Sequence, residues 1–443
     1  MSSTRRPFPS NPHGAKRLTR LLAALAALPV CAMAQGQDTS PYYFGGSLGL
    51  THVSNIYRTP SGTEPTAGSG AANSDTVTTA SLLGGVDLRL GREHLRADGS
   101  VQSNRYANNT QLNNLGYNGH LSLDWSTLYN ISGTVNLGGS RQLSSTVPGY
   151  GYTPVYAKNV QTEYSADAVT RIGLVTRWTL EGDVGYDRRT FSAPQYKSLD
   201  LSQTYYSLGP VYRPSDALRI GVDLRHTRGS LPFYDYERNP LTNQPFLNPD
   251  TGEPYYIPND FTRNDVDLKV YWKATGSNEF EVRLSQGRSR HATGVGQDFS
   301  GFTGQLTWNW TPTGRLSFST QLIRDTGLQT SFASFLGQSY NSYASDQLTT
   351  TLRSYVTYNY SAKLSFNGSV SYARGSLDVT NPVSGAHDTL DNTDYAASLG
   401  VSWQYSRGIS FNCSVGRQER TGNPLLNPYT ANNFGCVGQW IVY

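Results

Sequence analysis

The sequence predicts an all-β protein, a closed antiparallel transmembrane β-barrel of about 18 strands (16–20) with short periplasmic turns and long extracellular loops. Three observations predict it. From Tyr42 onward apolar and polar side chains alternate with a period of two, the apolar rows end in Trp or Tyr, and the connections alternate between tight and long.

The alternation is the signature of strands with two unlike faces. Phe302, Gly304, Leu306, Trp308 and Trp310 share one face, against Thr303, Gln305, Thr307 and Asn309 on the other. Val266, Leu268, Val270 and Trp272 oppose Asp267, Lys269 and Tyr271, and Tyr395 to Tyr405 repeats the rule. A soluble sandwich also alternates. Apolar rows of about ten residues closed by aromatics are what a lipid-facing band with aromatic girdles requires.

The tight connections share a form in which an aromatic closes one row and a few polar residues turn. Examples are Asp124-Trp125-Ser126-Thr127, Tyr212-Arg213-Pro214-Ser215, Trp272-Lys273-Ala274-Thr275, Trp310-Thr311-Pro312-Thr313, Tyr360-Ser361-Ala362-Lys363 and Tyr405-Ser406-Arg407-Gly408. The long ones, rich in Gly, Pro and Asn, fall at 58–75, 144–157, 190–200, 230–260, 327–344, 378–391 and 420–431, with shorter ones near 108–113 and 292–297. Both chain ends then lie on the side of the tight turns, as an even strand number demands.

The first 34 residues read as a cleaved secretory leader: Arg5, Arg6, Lys16, Arg17 and Arg20, then the apolar run Leu21 to Val30, then Ala32-Met33-Ala34. That run is half the length of a spanning helix. A twin-arginine reading of Arg5-Arg6 conflicts with delivery of an unfolded barrel to insertion machinery, and Val30 is too large for a lipoprotein box ending at Cys31. Residues 35–41 form a short periplasmic tail and 42–443 the barrel. The leader holds five of the 36 Lys and Arg and none of the 32 Asp and Glu, so the formal charge of +4 belongs to it. No basic surface for nucleic acid remains. Cys413 and Cys436, the two cysteines beyond the leader, are expected to pair in an oxidising compartment. If they stand opposite one another, the constant index sum of antiparallel partners puts Tyr443 beside Ser406 and turns Trp440 and Val442 outward.

The polar rows carry ionisable groups of both signs: Asp87, Arg89, Arg96, Asp98, His120, Asp124, Arg177, Asp183, Arg219, Asp223, Arg225, Asp267, Lys269, Arg283 and Arg353. Facing lipid they would cost about 2–4 kcal/mol each for the basic ones at mid-depth, so they line the lumen. Two compatible readings follow, a lattice of ion pairs bracing the wall and a hydrated passage. The segment 230–260 sets Phe233, Tyr234, Tyr236, Phe246, Tyr255 and Tyr256 among acidic residues and prolines. It is expected to pack over or into the mouth, and its flat rings could also stack on sugars.

Motifs for chemistry fare poorly. Gly45-Gly46-Ser47-Leu48-Gly49 matches a nucleophile elbow but lies inside the first strand with no helix after it, so small residues in a crowded strand explain it better. His120, Ser122 and Asp124 are spaced by two on one strand, about 7 Å apart, too far for a hydrogen-bonded triad. The other histidines lack metal-ligand spacing, and no phosphate or dinucleotide loop is present, so no cofactor is implied.

The first strand and its exit, Leu50-Thr51-His52-Val53-Ser54-Asn55-Ile56-Tyr57-Arg58, with Ser74-Asp75-Thr76-Val77 through Arg105-Tyr106 to Leu112-Asn113 and the Trp-x-x-Thr-Pro type turns, resemble the EpsL-like outer-membrane barrels of exopolysaccharide operons. The resemblance implies an outer-membrane pore taking part in polysaccharide export, with the polymer and periplasmic export components as partners. It supplies no catalytic residues. The competing expectations are a general diffusion porin for small solutes, and an outer-membrane enzyme or adhesive barrel. An enzyme needs a clustered acid, base and nucleophile, which the sequence does not offer.

Overall fold

The computed structural model describes residues 40–443, except 61–62, 64–69, 128–129, 145–155, 174–176, 240, 243, 251, 293–297, 327–347, 381–386 and 423–427, with backbone alone at 377–380 and 387–390. The leader, most of the tail and the connection 327–344 lie outside the described residues.

Eighteen strands close one antiparallel sheet. In chain order they are β1 (Tyr42–Val53), β2 (Asp75–Leu90), β3 (Glu93–Tyr106), β4 (Asn114–Ser126), β5 (Ile131–Leu143) and β6 (Val160–Ile172). Then come β7 (Trp178–Phe191), β8 (Leu201–Ser215), β9 (Leu218–Tyr236), β10 (Tyr256–Thr275), β11 (Asn278–His291) and β12 (Ser300–Thr313). The last six are β13 (Leu316–Thr326), β14 (Leu348–Asn359), β15 (Leu364–Thr380), β16 (His387–Ser406), β17 (Ile409–Thr421) and β18 (Tyr429–Val442). Each pairs with its chain neighbours, and β1 closes on β18 from Phe44 opposite Val442 to Val53 opposite Asn433. Closure leaves no edge whose backbone groups lack partners, the condition for crossing lipid with strands.

The face assignment follows parity. On β9, for example, Leu218, Ile220, Val222 and Leu224 point out, while Arg219, Gly221, Asp223 and Arg225 point in. The long apolar side chains left exposed on the strands, such as Leu82, Trp178, Leu208, Leu224 and Leu399, belong to outward rows. At the end bearing both termini a ladder of rings runs across four strands: Trp272 on Phe280 (5.7 Å between centroids), Phe280 on Trp308 (6.1 Å), Trp308 on Trp310 (5.6 Å) and Trp310 on Phe318 (5.1 Å). This is one girdle of the expected apolar band.

Three of the tight turns sit two or three residues later than the sequence form places them, whereas Tyr360 to Lys363 falls between β14 and β15 as expected. At Tyr212 to Ser215, Trp272 to Thr275 and Trp310 to Thr313 the register shifts within the strand, and the chain reverses only at 216–217, 276–277 and 314–315. The aromatic still closes the outward row. The residues after it form a bulge that absorbs the bend before a two-residue turn.

At the opposite end the connections fold onto inward-facing strand ends and make small cores. Ile56 and Tyr57 pack on Val77, Tyr106 and Leu112, and Tyr196 and Leu199 of a short 3-10 turn (Pro194–Leu199) pack on Phe191 and Ala193. Asp75 organises the first of these by accepting the backbone N–H groups of Ala107, Asn108 and Asn109. Tyr57 is fully buried; its hydroxyl donates to Asn109 Oδ1 (2.9 Å) and accepts from Gln111. Burial pushes its phenol up to about 12, so it remains a neutral donor at physiological pH.

Cys413 and Cys436 are joined in a disulfide between β17 and β18, with Cα atoms 4.0 Å apart. The register is the expected one: Ile409 stands opposite Trp440, and Ile441 N–H donates to Gly408 O (2.7 Å). Trp440 and Val442 are on the outer face, which settles the orientation of the last strand. Closing a loop with 23 residues of separation restricts the unfolded chain by about 3 kcal/mol on the loop-entropy estimate.

Candidate functional site: the lumen wall

The inward rows bring most of the sequence-selected charges into pairs. On the β9–β10 wall Arg225 bridges Asp265 (3.3 Å) and Asp267 (3.1 Å), and Arg263 holds Asp265 at 2.8 Å while donating to Thr303 and Thr326. Nearer the periplasmic end Lys269 reaches Asp223 (3.2 Å) and Glu181 (3.9 Å), and Glu181 accepts from Arg171 (3.0 Å). Arg219 lies over the Tyr271 ring at 4.4 Å. Asp183 lies on the same inward row as Glu181. Arg283 and Arg353 occupy inward positions of β11 and β14, opposite Gln305 and Gln321.

Across the barrel Arg96 pairs with Asp124 (2.7 Å), which also accepts from Thr134, and His94 pairs with Asp87 (2.6 Å). Arg89 stands opposite His94 at the periplasmic end. His120 faces Asp98 at 3.8 Å. Of the suggested His120, Ser122 and Asp124 set, the two ionisable members are thus turned to other partners.

Exposure divides these groups into two kinds. The Asp265 and Asp267 side chains are 0% and 1% exposed and Arg263 2%, so their charges are neutralised by one another inside the wall. Asp87 and Asp98 are 63% and 47% exposed and lie toward the end of the barrel that bears both termini. The first set braces; the second can meet a solute.

Arg177 stands at the edge of the wall, one residue ahead of β7. Its carbonyl accepts Arg213 N–H (2.7 Å), in register with the Trp178–Tyr212 pair that opens the β7–β8 ladder. Arg171, Arg263, Asp265 and the pair Arg420–Asp394 (2.7 Å) escaped selection. Extending the Asp267, Lys269 parity backward along β10 would have found Arg263 and Asp265.

The aromatic segment is also more regular than a loop. β9 and β10 continue to Tyr236 opposite Tyr256, with a register shift between Ile257 and Asn259, and only 237–255 lies beyond them. Phe233 and Tyr236 pack on Tyr256 (4.9 and 5.2 Å), Tyr234 rests on the inward cluster of Leu201, Leu231 and Phe261, and Lys197 sits over Phe233 (5.5 Å). Phe246 and Tyr255 remain exposed. Paired backbone and ring-on-ring packing, possible because this end stands in water, replace the irregular cover expected.

The fold and its wall define a closed, antiparallel β-barrel of the transmembrane type, apolar outside and ionisable within. No family model matches the chain, and no curated relative matches it. Among solved structures it is similar to the outer membrane protein OpdK of Pseudomonas aeruginosa (11% identity, 90% of this chain and 98% of that one, TM-score 0.42). It is similar also to OpdL of Pseudomonas aeruginosa (9%, 91% and 98%, 0.44) and the siderophore receptor PirA of Acinetobacter baumannii (8%, 92% and 81%, 0.40). The likeness is one of barrel architecture and assigns no solute.

Proposed function

We propose that the protein is a pore of a Gram-negative outer membrane that passes small polar solutes. The observation that carries the proposal is the pairing of an apolar, girdled exterior with exposed charges toward the end that bears both termini, Asp87 and Asp98 above all. In planar bilayers the purified barrel is expected to conduct, and Asp87→Asn with Asp98→Asn to shift its permeability ratio toward anions, about twofold or more. A bilayer with no conductance at any voltage, given folded protein, overturns the pore.

A second reading, export of extracellular polysaccharide, is favoured by the EpsL-like resemblance and by Phe246 and Tyr255 standing exposed on the projecting hairpin, where rings can stack on sugars. Deleting the gene is then expected to lower surface polysaccharide while leaving its synthesis intact. Normal surface polysaccharide together with slower solute uptake leaves the diffusion pore alone.

A further inference from the structure

We propose that the outer surface of the barrel carries a collar of arginines that binds the phosphate groups of the lipid in the outer leaflet. The inference rests on the outer-membrane placement proposed above. Every strand that rises from the periplasmic end, from β3 to β17, presents an exposed, outward-facing arginine near its far end.

On β3, β5 and β7 these are Arg105, Arg141 and Arg188, standing opposite Thr78, Thr162 and Ser202 of the neighbouring descending strands. On β9 and β11 Arg228 and Arg290 both stand opposite Thr262, and Arg288 opposite Asn264. On β13 and β15 Arg324 and Arg374 share Thr350, and Arg417 of β17 faces Asn432. A guanidinium therefore alternates with a hydroxyl or amide around the rim. That combination suits a phosphate, which takes a bidentate fork and further single donors.

The height is set by the apolar row beneath. Leu95 to Arg105, Ile131 to Arg141, Trp178 to Arg188, Leu218 to Arg228 and Leu364 to Arg374 each span about ten residues, and the rows of β11, β13 and β17 about eight. At ~3.4 Å per residue and a tilt of ~40° this is ~20–26 Å along the barrel axis, the depth of an apolar band. Tyr186 and Tyr372 lie one outward position below Arg188 and Arg374. The arginines thus mark the level at which headgroups begin. At the other rim the rows of β11 and β13 end in the Trp and Phe ladder, and exposed basic residues there, such as Arg92, Lys273, Arg315, Lys363 and Arg407, lie in or beside the turns rather than in the outward rows.

Arg374 is joined to Asp391 (2.5 Å) and Arg417 to Glu419 (3.0 Å), but the others have no acidic partner among the described residues. Between Arg228 and Arg290 a groove of about 600 Å³ opens, with Ser202, Thr204 and Thr262 on its wall and Asp260 as the one acidic residue of its lining. It is roomy enough for a phosphorylated sugar headgroup.

The test uses the full exported barrel in zwitterionic detergent, with thermal unfolding read from the gel shift between folded and unfolded forms. Three probes are added separately: phosphorylated outer-leaflet glycolipid, the same glycolipid after enzymatic dephosphorylation, and inorganic phosphate. The wild type is expected to be stabilised by the phosphorylated glycolipid alone. Arg188→Gln, Arg228→Gln and Arg290→Gln together are expected to weaken its binding about tenfold or more, and the Lys replacements to restore part of it. Equal stabilisation by the dephosphorylated form, or an unaltered triple variant, overturns the collar. A full shift from inorganic phosphate alone assigns the groove to a free anion and overturns the lipid. Should the triple variant not fold, the three probes on wild type and the single Arg228→Gln decide. If instead the wild type does not sediment with outer membranes, it is the placement that fails, whatever the phosphate result.

Discussion

Asp265→Ala is expected to destabilise the folded barrel by about 3–5 kcal/mol, the loss typical of removing one member of a buried ionic set. Asp265 is the shared acceptor of Arg263 and Arg225. Without it Arg263 keeps Thr303, Thr326 and the neighbouring carboxyl of Asp325 but loses the carboxylate it is bonded to, while itself 2% exposed. A guanidinium shielded from water cannot recover that interaction from solvent. The pair Arg263→Met with Asp265→Leu removes donor and acceptor together and leaves Arg225 with Asp267, so most of the loss should return. Guanidinium chloride titrations followed by tryptophan fluorescence give both numbers. A loss below about 1 kcal/mol for Asp265→Ala would mean the set behaves as a hydrated surface pair, and the bracing role would fall.

Barrel parity was legible because it is a local property repeated many times. The even strand number, the side of both termini, the Cys413–Cys436 pairing and the outward Trp440 all follow from period-two alternation and a constant index sum, and the registers agree. What was not legible depends on contacts between segments. A strand start taken at Val266 hid Arg263 and Asp265, since Asp260, Arg263 and Asp265 look like loop residues until β9 and β11 flank them. The small cores of Tyr57 with Tyr106, or of Tyr196 with Phe191, join residues whose neighbourhood no local pattern announces. The outward arginines of the odd-numbered strands from β3 to β17 were visible in the sequence at the far ends of their outward rows. They pass unnoticed while attention rests on inward charge, because an outward Arg at the end of a row reads as the start of a polar loop.

Gly45→Val is expected to leave the protein unable to close, with no folded band on unheated gels and little protein in the outer-membrane fraction. The reason lies at the seam. A Cβ on Gly45 would stand 2.1 Å from the Trp440 carbonyl oxygen and 3.1 Å from Ile441 Cα, both backbone atoms of β18 that cannot move without breaking the ladder. Strands β1 and β18 are the two most distant in sequence, so their pairing forms without help from a connecting turn and has the least local structure to compensate for a clash. Gly46 differs by one residue and one face. Its Cβ would meet the Trp440 indole at 3.1 Å and Ser81 O at 3.1 Å, so Gly46→Ala asks for a shift of a few tenths of an ångström and should only weaken closure. Gly276, in a periplasmic turn with nothing within 4 Å of an added Cβ, supplies the neutral comparison on substitution by alanine. The same crowding accounts for the small residues around Ser47, which lies in mid-strand with its neighbours fixed by register rather than on a strained turn. A Gly45→Val barrel that folds and melts like the wild type would show that β18 can draw back, and the steric account of this glycine-rich strand would have to be given up.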